Sequence, residues 1–269
     1  EVLDKVVLEP SMEKRMKSLA EATRNTQKNG APFRHILFYG PPGTGKTLVA
    51  KQLALHSNMH YAIMSGGDVL PLRDGAVTAI HKMFQWANAS QGGLILFIDE
   101  AEAFLKRRSD PTMGEEMRSA LNALLYNTGT ASKKFMLVLA TNRPGDLDLA
   151  VADRVDEHLF FDLPGPEERE RLFRLFFDKL ITKADGHGKL EVAEEAQTDE
   201  VFQKIVEMTE GMSGRNLEKI VISAMGRAYG TNSATLTKEM LLDVVQLKVE
   251  QFETRQQMMA EQGKLGSFV

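Results

Sequence analysis

Gly40-Pro41-Pro42-Gly43-Thr44-Gly45-Lys46-Thr47 decides how this 269-residue chain is read. The octet fits G-x-x-x-x-G-K-T, a loop whose backbone N–H groups cradle phosphate. Its flanks supply the required context. His35-Ile36-Leu37-Phe38-Tyr39 is a short apolar, β-prone run that reads as a buried strand. Thr47 through Ala54 continues with helical spacing and good helix formers. A strand, a tight loop and a helix N-terminus make an anion site, because unpaired N–H groups and the helix dipole both favour negative charge. Gly43 and Gly45 allow close backbone approach. Lys46 can reach the β- and γ-phosphates of a nucleotide, and the Thr47 hydroxyl can ligate Mg²⁺.

Outward from that loop, strands and helices alternate. Met59–Met64, Leu94–Glu100, Phe135–Ala140 and His158–Asp162 read as further strands. Leu94-Ile95-Leu96-Phe97-Ile98 is an unbroken apolar run suited to a central parallel strand. Helices are expected from Pro10 toward Asn29, over Ala76–Ala89 and over Gly114–Thr128. Ser65-Gly66-Gly67-Asp68 reads as a turn. The alternation implies an α/β fold, a doubly wound parallel five-stranded sheet. Leu163-Pro164-Gly165-Pro166 breaks the composition, and four helical stretches follow: Glu167–Lys183, Thr198–Glu210, Arg215–Tyr229 and Lys238–Gln262. The expectation is a core over 1–165 and a smaller all-α lid over 166–269, with the nucleotide between them. Asp185-Gly186-His187-Gly188 opens a polar connector expected to be a mobile surface loop.

Composition narrows the function class. The net charge of −4 gives no nucleic-acid-coating surface. No cysteine is present, so disulfides and thiolate metal sites are excluded. The six histidines show no metal-ligand spacing. No apolar run approaches the ~20 residues of a membrane span, and no signal peptide is evident. The chain begins at Glu1 rather than Met, as a fragment would, so an anchor or targeting segment could lie outside it.

Asp99 and Glu100 end the central strand, at the carboxyl edge where ligands of such sheets bind. There Asp99 would hold Mg²⁺ through water, and Glu100 would orient and deprotonate an attacking water. Asn142 ends the next strand. Its amide could hold the lytic water or the γ-phosphate, or it could simply belong to the turn Asn142-Arg143-Pro144-Gly145. Arg154 could neutralise transition-state charge on a neighbouring subunit's nucleotide, or pair with Asp153 or Asp156 at the surface. Arg215 follows Gly211-Met212-Ser213-Gly214, with Ser213 a suitable helix cap; it could face a phosphate or be an ordinary exposed helix residue. Lys106-Arg107-Arg108 reads as a solvated helix end or loop, with contact to an acidic partner or nucleic acid as the alternative. Met258-Met259 reads as part of a lid helix or tail, with a partner-binding face as the alternative.

The octet, Phe97-Ile98-Asp99-Glu100, Ala140-Thr141-Asn142 and Gly211-Met212-Ser213-Gly214 together resemble an AAA+ ATPase in order and spacing, from about residue 1 to about residue 230. Met64 through Val69, Lys134 through Ala140, Asp153 through Glu157, Phe161 through Gly165 and Thr209 through Arg215 resemble one subgroup, the mitochondrial ATPase family AAA domain-containing proteins of type three. This resemblance implies Walker A roles for Lys46 and Thr47 and Walker B roles for Asp99 and Glu100. It further implies sensor 1 for Asn142, an arginine finger for Arg154 and the sensor 2 position for Arg215. Pro42, Gly43, Thr44, Gly45, Lys46, Thr47 and Leu48 would contact ATP or ADP with Mg²⁺. Val7, between Val6 and Leu8, falls where the family lines the adenine pocket, although core packing explains the trio equally well.

The resemblance also implies a homo-oligomer, a hexamer in most members, through whose central pore some members thread a protein substrate. Membrane attachment would come through segments outside this chain, on the matrix side of the mitochondrial inner membrane. Three departures qualify it. Many members have alanine where Arg215 stands. Many carry a second arginine where Glu157 stands, so a single trans arginine is expected here. The pore segment Val69–Asp74 lacks the usual aromatic residue, leaving only Leu70 or Leu72 to grip a peptide. Mg²⁺-dependent ATP hydrolysis driving lid and inter-subunit motion is the leading expectation, and a nucleotide-gated scaffold with slow turnover is the alternative.

Overall fold

The apolar runs become β1 (Ile36–Tyr39), β2 (His60–Ser65), β3 (Leu94–Asp99), β4 (Phe135–Thr141) and β5 (Glu157–Phe160). The structure is a computed structural model that describes residues 6–89, 91–182, 190–231 and 233–265. The five strands form one sheet in the order β2-β3-β4-β1-β5, with every pairing parallel. Parallel strands need crossovers, and helices on both faces provide them.

Side-chain alternation divides the core between those faces. Leu94, Leu96 and Ile98 of β3 pack with Leu137 and Leu139 of β4 under α3 (Ala76–Ala89) and α4 (Glu115–Asn127). Ile95 and Phe97 point the other way, joining Met136 and Val138 under α1 (Pro10–Lys28) and α2 (Lys46–His56). This is the doubly wound arrangement expected from the sequence. Val6 and Leu8 are buried in the second of these layers, while Val7 between them is only half-buried. An extended segment alternates in this way.

One local expectation changes. Ser65–Asp68 does not form a short turn between strand and helix. Gly66–Gly75 is a ten-residue 3-10 helical segment leading directly into α3. Its start is fixed by Ser65 and Asp68: the Asp68 carboxylate accepts the Ser65 N–H at 2.8 Å, and the Ser65 hydroxyl accepts the Gly67 N–H at 3.3 Å. Val69 is 2% exposed and belongs to the core, so of this segment's apolar residues it cannot grip a partner. Leu72 is exposed, and the Leu70 side chain lies outside the described residues.

The chain divides into two compact units, one ending at Asp162 and the other beginning at Leu163. The second contains α6 (Pro166–Phe177), α7 (Asp199–Met208), α8 (Gly214–Tyr229) and α9 (Lys238–Leu265). After α6 the backbone continues as a π-helical turn, Asp178–Thr182; Lys183 and the connector Asp185–Gly188 lie outside the described residues. The unit is helical apart from a two-residue parallel pair, β6 (Glu191–Val192) with β7 (Thr235–Leu236). Its core includes the ring cluster Phe173, Phe177 and Phe202. Thr198 caps α7, and Ser213 caps α8 in a reciprocal box with Asn216. The buried Arg169 guanidinium donates to the carbonyls of Pro164 and Val206, both at 3.1 Å, tying the unit's first residues to the end of α7. No described helix is long and apolar enough to cross a membrane.

His35 sits where β1 begins. Its Nδ1 accepts the Leu137 N–H at 3.1 Å, its ring stacks on Phe135, and its backbone exchanges hydrogen bonds with Asp156. Burial holds the imidazole below its ordinary range, and the Asp156 carboxylate partly opposes that. A lowered folded pKa means the unfolded chain takes up the proton first. This contribution to stability is therefore complete above about pH 6.5 and declines as pH falls through that value toward the folded pKa. Urea midpoints measured between about pH 8 and pH 5 are expected to fall on the acid side. In His35→Asn, whose Oδ1 is an acceptor that does not titrate, this part of the slope is expected to vanish.

Candidate functional site

The parallel register sets Tyr39 of β1 opposite Thr141 of β4, and Ser65 of β2 opposite Asp99 of β3. The segments leaving β1, β2, β3 and β4 therefore emerge on one edge of the sheet. β1 lies between β4 and β5, where the winding direction reverses, which is the topological switch point of such folds.

At that point the loop after β1 turns through Gly43 and Gly45, both at positive φ (79° and 92°), and opens α2. Gly45 is the α2 N-cap and supplies no side chain, and the first turn holds no acidic residue, so backbone N–H groups at this helix start face outward uncapped. Lys46 is 6% exposed. Its Nζ donates to the carbonyls of Gly40 at 2.9 Å and Pro41 at 2.8 Å, and to Asn142 Oδ1 at 2.9 Å. Thr44 Oγ1 donates to the Pro41 carbonyl at 2.9 Å and braces the loop. Pro42 and Leu48 are exposed.

Thr47 Oγ1 donates to Asp99 Oδ2 at 2.5 Å, and Asp99 Oδ1 accepts the Glu100 N–H at 2.9 Å. Glu100 takes a left-handed conformation (φ 49°, ψ 45°), which bends the chain sharply off the end of β3. Its carboxylate is exposed, with Oε2 3.5 Å from Ser65 Oγ. Lys46, Thr47, Asp99, Glu100 and Asn142 are thus gathered from three strand ends. Thr47 and Asp99 offer two hard oxygens side by side, and no cluster of three or more His, Cys, Asp or Glu suited to a metal occurs among the described residues. That donor set suits Mg²⁺, which takes one or two protein oxygens and completes its shell with phosphates and water.

Three further charged positions are accounted for, two of them, Arg154 ahead of β5 and Glu157 at its start, away from the carboxyl edge. Asp148 caps α5 (Leu149–Ala152) and is paired with Arg108 through the guanidinium at 3.1 Å. Burial pushes the Asp148 carboxyl up, but the Arg108 N–H, the Arg108 guanidinium and the Ala150 N–H outweigh this and hold it below the usual range. Arg154, just beyond α5, pairs with neither Asp153 nor Asp156. Its Nε donates to the Leu125 carbonyl at 3.2 Å and its Nη1 to the Ala150 carbonyl at 2.7 Å. Glu157 binds Arg15 at 3.0 Å and Arg34 at 3.3 Å, joining the start of β5 to α1 and to the approach to β1.

Residues 36–163 match the family described as "ATPase family associated with various cellular activities (AAA)". The chain carries an AAA domain. It is 50% identical over 257 residues to human ATPase family AAA domain-containing protein 3A, covering 95% of this chain and 44% of that protein. It is 48% identical over 265 residues to ATPase family AAA domain-containing protein 3 of Bos taurus, covering 98% and 45%. Against the Caenorhabditis elegans protein of that name it is 47% identical over 239 residues, covering 88% and 40%. The chain thus spans less than half the length of these relatives. That match supports an ATPase-type module over residues 36–163.

Arg215 belongs to the second unit, exposed on the first turn of α8. Three residues of the AAA domain's edge escaped the sequence reading. Ser65 meets Glu100 only because β2 and β3 pair in this register. Glu102, whose Oε1 accepts the Asn142 N–H at 3.4 Å, stands in the sequence only as one more acid after Asp99 and Glu100. Gly66 looked like turn chemistry, yet a Cβ there would lie 2.4 Å from the Glu100 carbonyl oxygen and 3.2 Å from Ala103 Cβ. Gly66→Ala is expected to lower stability by about 1–3 kcal/mol, read as a lower urea midpoint. Gly67→Ala, whose Cβ would meet only Ser65 Oγ at 3.6 Å, is expected to change little.

Proposed function

We propose that the chain hydrolyses ATP in an Mg²⁺-dependent reaction at the carboxyl edge of its parallel sheet. The observation that carries this reading is the convergence of Lys46, Thr47, Asp99 and Asn142, with the exposed Glu100 carboxylate beside them. Lys46 would exchange some of its oxygens for the β- and γ-phosphates, and the N–H groups opening α2 would hold the phosphate chain. Thr47 Oγ1, and Asp99 through water, would hold Mg²⁺, which would supply neutralisation of the phosphate charge. Asn142 would orient the γ-phosphate or the water. Glu100 would accept the proton as water oxygen bonds to the γ-phosphorus and the bond to the β–γ bridging oxygen breaks, releasing ADP and phosphate. Val7 would pack against the base.

Arg154 would complete the site of an adjacent subunit. Both of its present acceptors are backbone carbonyls at helix ends, which hold the guanidinium without neutralising its charge. Glu157, committed to Arg15 and Arg34, supplies no second arginine of its own. Assembly as a hexamer, a phosphate contact from Arg215, and coupling of nucleotide state to motion of the helical unit extend the proposal. A place on the matrix side of the mitochondrial inner membrane, attached through segments outside this chain, rests on sequence resemblance alone.

A second reading, a nucleotide-gated scaffold with slow turnover, is favoured by the 3-10 segment: Val69 is buried and no aromatic residue lies between Val69 and Asp74. Specific ATPase activity measured against protein concentration separates the two. Steeply rising activity supports the assembled ATPase, whereas negligible turnover with ATP-dependent assembly supports the scaffold.

Two sets of variants test the residue roles. Lys46→Ala is expected to weaken nucleotide binding by roughly tenfold to a hundredfold, the loss of charge-assisted hydrogen bonds. Glu100→Gln is expected to keep binding and lose at least about a hundredfold in kcat; full turnover in that variant would refute the general-base role. Arg154→Ala is expected to lose about a hundredfold or more in assembly-dependent kcat while nucleotide affinity of the dilute chain holds. An effect confined to the dilute chain's affinity would refute action in trans.

A further inference from the structure

Glu102 lies three residues beyond Asp99, past the left-handed Glu100. The bend at Glu100 runs into a single 3-10 turn, Ala101–Ala103, and Gly66 leaves room for it because a Cβ there would strike the Glu100 carbonyl. The turn delivers Glu102 to the end of β4, where its Oε1 accepts the backbone N–H of Asn142 at 3.4 Å. Its other oxygen, Oε2, is buried and meets no hydrogen-bond donor among the described residues. A buried carboxylate oxygen left in that state costs free energy, and packing alone gives no reason to keep it. Locally unfavourable choices of this kind concentrate where function needs them.

What Glu102 holds is informative. Asn142 Oδ1 accepts from Lys46 Nζ at 2.9 Å, so one chain of contacts runs from the Glu102 carboxylate, through the Asn142 peptide and amide, to the ammonium that this loop type directs at β- and γ-phosphates. We propose that Glu102 is a positioning residue. It fixes the Asn142 peptide so that the Asn142 amide and the Lys46 ammonium address the γ-phosphate together. Glu102 acts through Asn142 and touches no phosphate. The 3.4 Å bond is long for N–H···O, as such contacts often are before a ligand tightens them. This inference rests on the nucleotide-site reading above.

The test is discrimination between nucleotides, a quantity that a merely structural role would leave unmoved. Calorimetric titration of the 269-residue chain with ATPγS and with ADP, each with Mg²⁺, gives both affinities. Glu102→Ala is expected to weaken ATPγS by about tenfold and ADP by less than about twofold, since only the γ-phosphate contact is lost. Glu102→Gln is expected to restore ATPγS binding, because its amide oxygen can accept the same N–H. Equal weakening of both nucleotides, or a glutamine variant as impaired as alanine, would overturn the assignment. If Glu102→Ala does not fold, Glu102→Asp takes its place. One methylene shorter, it is expected to lose ATPγS selectively while glutamine keeps it, and the reverse order overturns the proposal. A wild-type chain that binds neither nucleotide removes the nucleotide-site reading itself, an outcome distinct from loss of discrimination in the variants.

Discussion

A buried ammonium must be surrounded by oxygen. Taking Lys46 out of water is costly unless acceptors stand close around it, and three of them do, within 2.9 Å. Two are carbonyls of the loop that Lys46 itself terminates, and one is the amide oxygen of Asn142. That geometry exists because β1 and β4 are neighbours in parallel register, so the loop after one strand and the residue after the other reach the same point. The left-handed turns at Gly43 and Gly45 bring the loop back over the strand end and open α2 with its N–H groups exposed. The proposed phosphate site is built around satisfying that one cation.

A second constraint acts on the neighbouring strand. Glu100 is not glycine, yet it takes positive φ, a conformation that costs of order 1 kcal/mol and persists only where surrounding structure enforces it. Asp99 Oδ1 holds the Glu100 N–H, and Gly66 admits the Glu100 carbonyl. The strained residue is therefore clamped from its own strand and from β2. The same clamp starts the 3-10 segment Gly66–Gly75, whose first turn is closed by Ser65 and Asp68. The carboxylate proposed as base and the segment leading into α3 consequently share one set of anchors. A change in either has a short mechanical route to the other.

Away from the centre, charged side chains of the first unit are spent on structure. Asp148 and Arg108 fix α5, and Arg154 lies across the carbonyls of Leu125 and Ala150. Glu157 gathers Arg15 and Arg34 to the start of β5. Acidic and basic residues that look interchangeable along the chain therefore have separate duties, and each duty is set by which strand or helix end lies opposite.

The sequence by itself determined the five strands of the sheet and marked Gly40–Thr47 as a candidate phosphate loop. Apolar runs such as Leu94–Ile98 cannot be solvated and must be covered on both faces, and G-x-x-x-x-G-K-T has few uses between a strand and a helix. Local chemistry also announced the cap at Ser213 and the grouping of Asp99 with Glu100. Tertiary structure alone decided which strand ends meet. The order β2-β3-β4-β1-β5 put Asn142 on Lys46, Ser65 beside Glu100 and Glu102 under Asn142. It also sent Asp156 to His35 rather than to Arg154. Those pairs lie 35 to 121 positions apart along the chain, and no local periodicity encodes contacts of that span. Strand register fixes them, and register is settled by the whole core packing at once.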